Sequence, residues 1–223
     1  MSEKKILLEP DKFYHIFNRG INSMDIFFEN DNYEHFLRLY DKYIGTIADT
    51  YAWVLMKNHF HLLVRIKSQE DIVASFPQLL LHLQGFKNLE DVKAEMKAKV
   101  KKRIYQQFSN LFNAYAKAIN KRFGRTGALL ESNFHRKPIE DIEYFKNVVI
   151  YIHNNPVHHK ICKHPIEYPW SSYLSCMSLK STKLKRDKVI GWFDNEANFK
   201  LLNNDKSFDF AKINDFLFKG KNI

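Results

Sequence analysis

The sequence predicts an α+β fold built on a single antiparallel sheet. Apolar residues alternate loosely with polar ones in some segments and recur at the 3.6-residue helical period in others, which separates strands from helices. The order along the chain is strand, helix, strand, strand, helix, strand, as in a ferredoxin-like split βαβ sheet. A hydrophobic content of 45% over 223 residues is sufficient for a substantial core.

The first half of the chain contains three predicted strands and one helix. Residues 12–18 alternate apolar and polar side chains, which predicts the first strand. Residues 31–48 carry apolar side chains at helical spacing, with Asp31 as the expected N-cap. Residues 51–56 and 60–66 predict two further strands joined by a tight turn.

The second half begins with residues 68–103, which we interpret as a charged helical insertion. Within it, residues 88–102 predict either a solvated helix or a mobile loop, because lysine is so frequent there. Residues 103–123 predict a helix that ends at Gly124. Residues 129–138 are expected to be extended and to supply the last strand.

Residues 139–155 predict a helix that follows the last strand. Acidic residues near its start suit the positive end of a helix. Pro156 disfavours the helical conformation at Asn155 and is therefore expected to end the helix there. Tyr151 and Asn155 are four residues apart, so they share one face of the last turn.

The pair His59 and His61 is the first indication of chemistry. Residues two apart on a strand point to the same side, so the two imidazoles project together while Phe60 points into a core. Two neutral imidazoles on one rigid strand form half of a divalent-metal site. The simpler interpretation is a strand with two exposed histidines.

The shared face of Tyr151 and Asn155 could lie against the histidine pair if the helix packs on the sheet. A phenol can act as a nucleophile, and an amide oxygen can be a third metal ligand. The alternative is that Tyr151 is an ordinary tyrosine of an amphipathic helix.

Five motifs occur in order along the chain. Phe-Tyr-His-Ile-Phe-Asn-Arg-Gly occupies residues 13–20, and His-Phe-His follows on a later strand. A helix within residues 113–127 ends in a basic turn bounded by glycines, before Tyr-Ile-His-Asn-Asn-Pro at 151–156 and Tyr-Pro-Trp-Ser-Ser-Tyr at 168–173. Together they resemble the single-tyrosine HUH transposases, in particular the REP-associated tyrosine transposases, over residues 11–176.

The resemblance implies a ferredoxin-like sheet with the catalytic-tyrosine helix appended to it. It implies that His59, His61 and Asn155 hold Mg²⁺ or Mn²⁺, and that Tyr151 attacks DNA to form a 5′-phosphotyrosine intermediate. The expected partner is single-stranded DNA, with a hairpin near the cut. The general base for the tyrosine is not assigned.

The chain departs from the family pattern in three places. After Asn155 and Pro156 the family usually has Val-Arg-Ala-Gly, whereas this chain has Val-His-His-Lys. The insertion at 68–103 is longer and more charged than usual. Residues 177–223 match no pattern and are interpreted as a C-terminal extension of unknown role.

Charge supports a polyanionic partner. The net charge is +10 and the pI is about 9.4, and basic side chains that neutralise phosphates gain from counterion release. Aromatic residues make up 15% of the chain, and some of them could stack on unpaired bases. A solvated basic surface is the alternative. The residues that we predict to contact DNA are Arg19, Arg122, Arg125, Arg136, Lys137 and Tyr173.

Several alternatives stay open at this level. One is a catalytically idle protein that binds hairpins or single strands, as a domesticated transposase would, and another is a replication initiator with the same HUH chemistry. The cluster His158, His159, Cys162 and His164 could bind zinc, although its spacing matches no common finger. The sequence leaves monomer and homodimer open.

The expected location is the cytoplasm. Two cysteines give no disulfide framework, and no apolar run approaches transmembrane length. The first six residues lack the core of a signal peptide, so we expect no membrane association.

Overall fold

A computed structural model of the chain describes residues 7–81, 88–205, 207–211 and 213. The first six residues, part of the predicted insertion and part of the predicted extension lie outside these ranges. The strands are β1 (Phe13–Arg19), β2 (Ala48–Met56), β3 (His59–Ile66) and β4 (His135–Ile139). The helices are α1 (Asn30–Ile44), α2 (Gln69–Ser75), α3 (Leu89–Arg122), α4 (Ile142–His158), α5 (Tyr173–Met177), α6 (Arg186–Trp192) and α7 (Glu196–Asn203). Single 3₁₀ turns lie at Ile21–Ser23, Pro77–Leu80 and Pro165–Glu167.

The four strands form one antiparallel sheet in the order β2-β3-β1-β4. This is the strand order of a split βαβ sheet, in which the two halves interleave and β1 and β3 occupy the centre. The predicted α+β fold class is therefore confirmed. The two central strands carry the side chains that matter most for the site described below.

Helices α1 and α3 cover one face of the sheet. Aromatic side chains dominate this core, and Phe36, Phe60, Phe108 and Tyr115 are fully buried in it. The hydroxyl of Tyr115 donates a hydrogen bond of 2.6 Å to the carbonyl oxygen of Ile26, which satisfies the one polar atom of that buried ring.

Helix α4 and the C-terminal helices cover the other face. Val148, Val149 and Ile152 of α4 are completely buried against the sheet, and Val189 and Phe199 of α6 and α7 belong to the same core. The described part of residues 177–223 is thus an integral portion of the second layer.

The observed start of α1 differs from the prediction. Asp31 was expected to cap the helix, but the N-cap is Glu29, whose side chain and that of Asn32 form a reciprocal capping box. The helix ends at Ile44, so Ala48 belongs to β2 instead. Ile44 and Ile47 satisfy the helical spacing, but the chain leaves the helix after Ile44 and begins the edge strand β2 at Ala48.

The charged segment before residue 103 is helical, which is one of its two expected forms, but it is continuous with the helix expected from residue 103. It belongs to the single long helix α3, which is capped by the side chain of Asn88. Met96, Val100 and Ile104 form a buried stripe at i, i+4 and i+8, while the lysines occupy the remaining faces. Within the described ranges, no helix combines the length and the apolar character needed to cross a membrane.

Two further boundaries needed correction. Of the predicted extended segment 129–138, only residues 135–138 lie in a strand, and that strand continues to Ile139, which was expected to begin the helix. Pro156 does not end α4, which continues to His158 with Pro156 inside it. Proline removes one backbone donor but its fixed φ suits a helix, and the next turn is closed by hydrogen bonds from His159 to Asn155 and from Ile161 to Pro156. Asn155 is consequently held within the helix.

We predict that Phe199→Ala will lower the free energy of unfolding by about 3–5 kcal/mol, because a fully buried aromatic ring leaves a cavity between α7 and α4. The matched control is Leu201→Ala on the same helix, where the side chain is 69% exposed and the loss should stay within about 0.5 kcal/mol. Urea unfolding of both variants measures the difference, and equal losses would show that α7 does not share the core.

Candidate active site

His59 and His61 lie side by side on the face of β3 that α4 covers. Their ring centroids are 5.2 Å apart and the ring planes are nearly perpendicular. Phe60 between them is buried in the opposite core, against Phe36. Alternation along a strand in the centre of the sheet therefore sets both imidazoles beneath the same helix.

Helix α4 brings Tyr151 and Asn155 onto this histidine pair. Oδ1 of Asn155 lies 3.0 Å from Nε2 of His59, and the ring of Tyr151 meets that of His61 edge-on at a centroid distance of 5.3 Å. Tyr151, Asn155 and His61 are 4%, 1% and 4% exposed. The structure thus brings together all four residues that the sequence motifs single out, while their roles stay predictions.

The donor set suits a cation. Both ring nitrogens of His59 face amide oxygens, with Nδ1 2.7 Å from Oδ1 of Asn58 and Nε2 3.0 Å from Oδ1 of Asn155. A neutral imidazole has only one N–H. In one of these two contacts, the lone pair of the ring nitrogen therefore faces a lone pair of the amide oxygen. Burial lowers the pKa of His59 to about 4, so the doubly protonated ring is not the form present at neutral pH. The residues fit a divalent metal, which would satisfy both acceptors at once.

A site made only of the usual charged or histidine ligands is not found. Within the described ranges, no three His, Cys, Asp or Glu side chains gather closely enough to hold a metal. This finding covers His158, His159, Cys162 and His164, the cluster that could have bound zinc. A metal at the histidine pair therefore depends on the amide oxygen of Asn155.

The titration behaviour of the site is governed by burial. Burial holds the pKa of His61 well below its ordinary value, and the neighbouring histidines lower it further. Burial raises the pKa of Tyr151, while a hydrogen bond with the side chain of Asn155 opposes that rise. At neutral pH the site accordingly contains neutral imidazoles and a protonated phenol.

His15 is a further member of the site. It lies on β1, where it is fully buried, and its Nε2 is 3.0 Å from Nδ1 of His61. Its ring is also 6.0 Å from that of Tyr151. The sequence indicated only that His15 lies on a strand that could border the site, because its contact with His61 depends on the register of β1 with β3.

Two of the predicted DNA contacts lie on the histidine face of the sheet. Arg19 pairs directly with His59 across the strands, and Lys137 pairs with His15. Directly paired residues share a face, so both side chains emerge beside the site. Arg19 is also bonded to Glu131, with 2.6 Å between Nε and the carboxylate.

Two more predicted contacts lie at the C-terminal end of α3. Arg122 is exposed and pairs with Glu29 at 3.1 Å. Arg125 is half-buried, with its Nη2 3.1 Å from the sulfur of Met24.

Arg136 and Tyr173 require correction. Arg136 pairs with Ile16 on the opposite face of the sheet, is only 8% exposed, and stacks its guanidinium on Tyr105 and Phe134. Tyr173 is 3% exposed and packs between His153 and Phe199. Neither side chain is available to DNA in this fold, because the apolar interior already surrounds it.

The C-terminal segment covers the tyrosine. The ring of Phe210 lies 5.3 Å from that of Tyr151 and stacks on His158 at 4.4 Å. The sequence carried no signal for this contact, since residues 177–223 match no family pattern. A ligand that reaches the phenolic oxygen must therefore pass beside the C-terminal segment.

A second buried histidine, His153, joins α4 to its surroundings. Its Nε2 is 2.8 Å from Oγ of Ser172, and its Nδ1 is 3.2 Å from Oδ1 of Asn203. The arrangement has the connectivity of a serine-histidine-asparagine triad, but all three residues are completely buried. Ser172 also accepts a hydrogen bond from the backbone N–H of Trp53. This network is consequently a structural tie and not a second active site.

The fold and the site define a class of protein, one with a split βαβ sheet that carries a histidine pair beneath a tyrosine-bearing helix. The structure is similar to a solved structure of a REP-associated tyrosine transposase bound to a REP hairpin. The TM-score is 0.50 with 14% sequence identity, over 79% of this chain and 86% of that one. At this identity the likeness establishes the shared fold. Neither the family models nor the curated protein sequences give a match.

We predict that His153 makes folding sensitive to acid. Burial lowers its pKa from 6.5 to about 3 in the folded protein. Below about pH 6.5 the unfolded chain therefore binds a proton on His153 that the folded protein does not bind. The free energy of unfolding is highest above that pH and falls as the pH drops toward 3. His153→Gln should flatten this dependence by up to about 1.4 kcal/mol per pH unit, as measured by urea unfolding between pH 7 and 4. An unchanged slope would mean that His153 is protonated in the fold.

Proposed function

We propose that this protein is a transposase-type enzyme that cleaves and rejoins single-stranded DNA through a covalent link to Tyr151. The observation that carries the proposal is the convergence of Tyr151 and Asn155 of α4 on His59 and His61 of β3. The fold shared with a tyrosine transposase supports it. So does the +10 net charge, which favours a polyanionic substrate.

His59, His61 and Asn155 would hold the metal, and Mg²⁺ or Mn²⁺ is proposed. A divalent ion held by these residues would supply Lewis-acid polarisation of the scissile phosphate. The three protein ligands are neutral, so the substrate phosphate supplies the missing negative charge. Metal and DNA are accordingly expected to bind cooperatively.

Tyr151 is the proposed nucleophile. Its phenolic oxygen forms a bond to the scissile phosphorus as the bond from phosphorus to the 3′ oxygen breaks, and the departing 3′ oxygen takes up a proton. The product is a 5′-phosphotyrosine and a free 3′-hydroxyl. Attack by a 3′-hydroxyl reverses the exchange and rejoins the strand, so no nucleotide cofactor is required.

Asn155 and burial determine how the phenol reacts. Burial raises the pKa of Tyr151, so the phenol is protonated at neutral pH and must lose its proton as it attacks. The hydrogen bond with Asn155 works in the opposite sense, because it favours the charged oxygen. Exclusion of water by the surrounding core would also protect the phosphotyrosine from hydrolysis.

A DNA-binding protein without catalytic activity is the second candidate. One observation favours it, namely that Tyr151 is only 4% exposed and lies beneath Phe210. Such a protein would bind a hairpin or single strand but form no covalent product. The two candidates differ in whether a DNA adduct forms.

We predict that Tyr151→Phe will abolish both cleavage and the covalent adduct with labelled single-stranded DNA from the flanks of the gene, while DNA binding persists. Only the phenolic oxygen is lost, so packing should barely change. The matched control is Tyr144→Phe, which makes the same change two turns earlier on α4 and should retain the adduct. Adduct formation is read by denaturing gel electrophoresis and peptide mapping.

The same assay separates the candidates. An adduct mapped to another tyrosine would overturn the assignment of Tyr151, and the absence of any adduct with wild-type protein would favour the DNA-binding candidate. Full cleavage in the presence of a chelator would contradict the metal. His61→Ala should lose cleavage, whereas Asn155→Ala should retain part of it, because water can replace one amide oxygen.

We also predict tighter binding to a hairpin with a single-stranded flank than to a fully paired duplex. An unpaired backbone can bend into the site at far lower cost than a duplex. Lys137→Ala should weaken binding and reduce the salt slope by about one unit, because it removes one phosphate contact. The control Lys42→Ala lies on α1, on the other side of the sheet, and should change neither. Titrations of hairpin, single strand and duplex at two salt concentrations provide the comparison, and equal affinities would reject single-strand recognition.

A further inference from the structure

The contact between His15 and His61 has an unusual distribution of hydrogen-bonding atoms. Nε2 of His15 faces Nδ1 of His61 at 3.0 Å, and the two ring planes are within 18° of each other. The other nitrogen of His15, Nδ1, is buried without a hydrogen-bond partner among the described residues. A buried polar atom left in this state destabilises the fold, so the arrangement calls for an explanation.

The protons of this pair can be counted. His15 and His61 are 0% and 4% exposed, and because burial disfavours the charged form of an imidazole, both rings are taken as neutral. A short contact between two ring nitrogens requires one hydrogen between them. Either His15 donates through Nε2, which leaves the hydrogen of His61 on its Nε2, or His61 donates through Nδ1, which leaves its Nε2 with a free lone pair.

Only the second arrangement allows His61 to bind a metal. Its Nδ1 is committed to His15, so Nε2 is the nitrogen that remains for a ligand bond. Metal-binding histidines generally donate their other N–H to an acceptor, which fixes the tautomer and the ring orientation. In this chain the neighbouring His59 has an equivalent acceptor in Oδ1 of Asn58, 2.7 Å from its Nδ1.

We propose that His15 is a positioning residue for the metal site, which accepts the Nδ1–H of His61 and so holds the Nε2 lone pair of His61 ready for the cation. The proposal rests on the proposed function, because it requires the metal at His59 and His61. Its cost is visible in the structure, since His15 must then carry its own hydrogen on the buried Nδ1 that has no partner. Without a cation, the opposite tautomer pair leaves only an unpaired acceptor there, which is easier to tolerate than an unpaired N–H.

The surrounding rings keep His15 in this orientation. Phe17 lies 5.1 Å from His15 and 5.6 Å from His61, and it also stacks on the ring of His135 at 4.9 Å. Phe17 therefore packs on both histidines without offering either of them a hydrogen bond. This makes Phe17→Leu a matched control, because it loosens the same packing but leaves the nitrogen contact in place.

The first test needs no variant. Long-range ¹H–¹⁵N correlation spectra of wild-type protein with Mg²⁺ distinguish a ring nitrogen that carries hydrogen from one that carries a lone pair or a metal. The expected result is hydrogen on Nδ1 of His61 and on Nδ1 of His15. Hydrogen on Nε2 of His61 in the presence of saturating Mg²⁺ would overturn the proposal.

The second test measures Mn²⁺ affinity by electron paramagnetic resonance, in the absence of DNA. His15→Phe, which removes the acceptor, should weaken Mn²⁺ binding about tenfold to a hundredfold. His15→Gln should recover most of the affinity, because its side-chain oxygen can reach the same hydrogen, and Phe17→Leu should bind as wild type. Thermal unfolding by circular dichroism establishes that each variant is folded. If His15→Phe does not fold, the comparison is between His15→Gln and wild type together with the spectra.

The outcomes separate the two levels of inference. Equal Mn²⁺ affinity in wild type and His15→Phe would overturn the role of His15 and leave the proposed function intact. Absence of Mn²⁺ binding by wild type at millimolar metal would overturn the metal assignment and the role of His15 together. A DNA adduct on Tyr151 that forms without metal would support Tyr151 as the nucleophile. It would overturn both the metal assignment and the role of His15.

Discussion

The alternation of side chains along β3 is the constraint on which the rest of the structure depends. Phe60 must enter the core beneath α1 and α3, and this requirement sends His59 and His61 to the opposite face. A slip of one residue would place the two imidazoles among the aromatic rings of that core and put a phenylalanine beneath α4 in their place. Because β3 lies between β1 and β2, pairing on both sides fixes its register. The positions of His59 and His61 are fixed in the same way.

Helix α4 completes the site by placing Tyr151 and Asn155 over β3. The contacts that hold α4 in position lie outside the site. The network of His153 with Ser172 and Asn203 ties the helix to the loop before α5 and to α7. Pro156 remains inside the helix, so Tyr151 and Asn155 keep a separation of one turn and both can reach the histidines. Polar contacts within the buried layer thus set the geometry, while the apolar contacts supply the stability.

The fold was predictable from local patterns, whereas the composition of the site was predictable only in part. Period-two and period-3.6 signals gave the order of the elements and placed His59, His61, Tyr151 and Asn155 on the correct faces. The contact of His15 with His61 was not predicted and Arg136 was misplaced for one reason: their environment depends on the pairing of β1 with β3 and β4, which no local pattern specifies. The burial of Tyr173 likewise depends on α7, a helix beyond the recognised motifs.

The tie between His153, Ser172 and Asn203 has a consequence for cooperativity. If α7 separated from the domain, the buried imidazole of His153 and the side-chain amide of Asn154 would both lose their partners on Asn203, and α4 would lose part of its apolar cover at the same moment. Local opening of the C-terminal helices and of the tyrosine helix should therefore be one event, visible as shared protection of their amide hydrogens from exchange. The last third of the chain and the site would then form a single foldon. Loss of the C-terminal helices would therefore also destabilise the site.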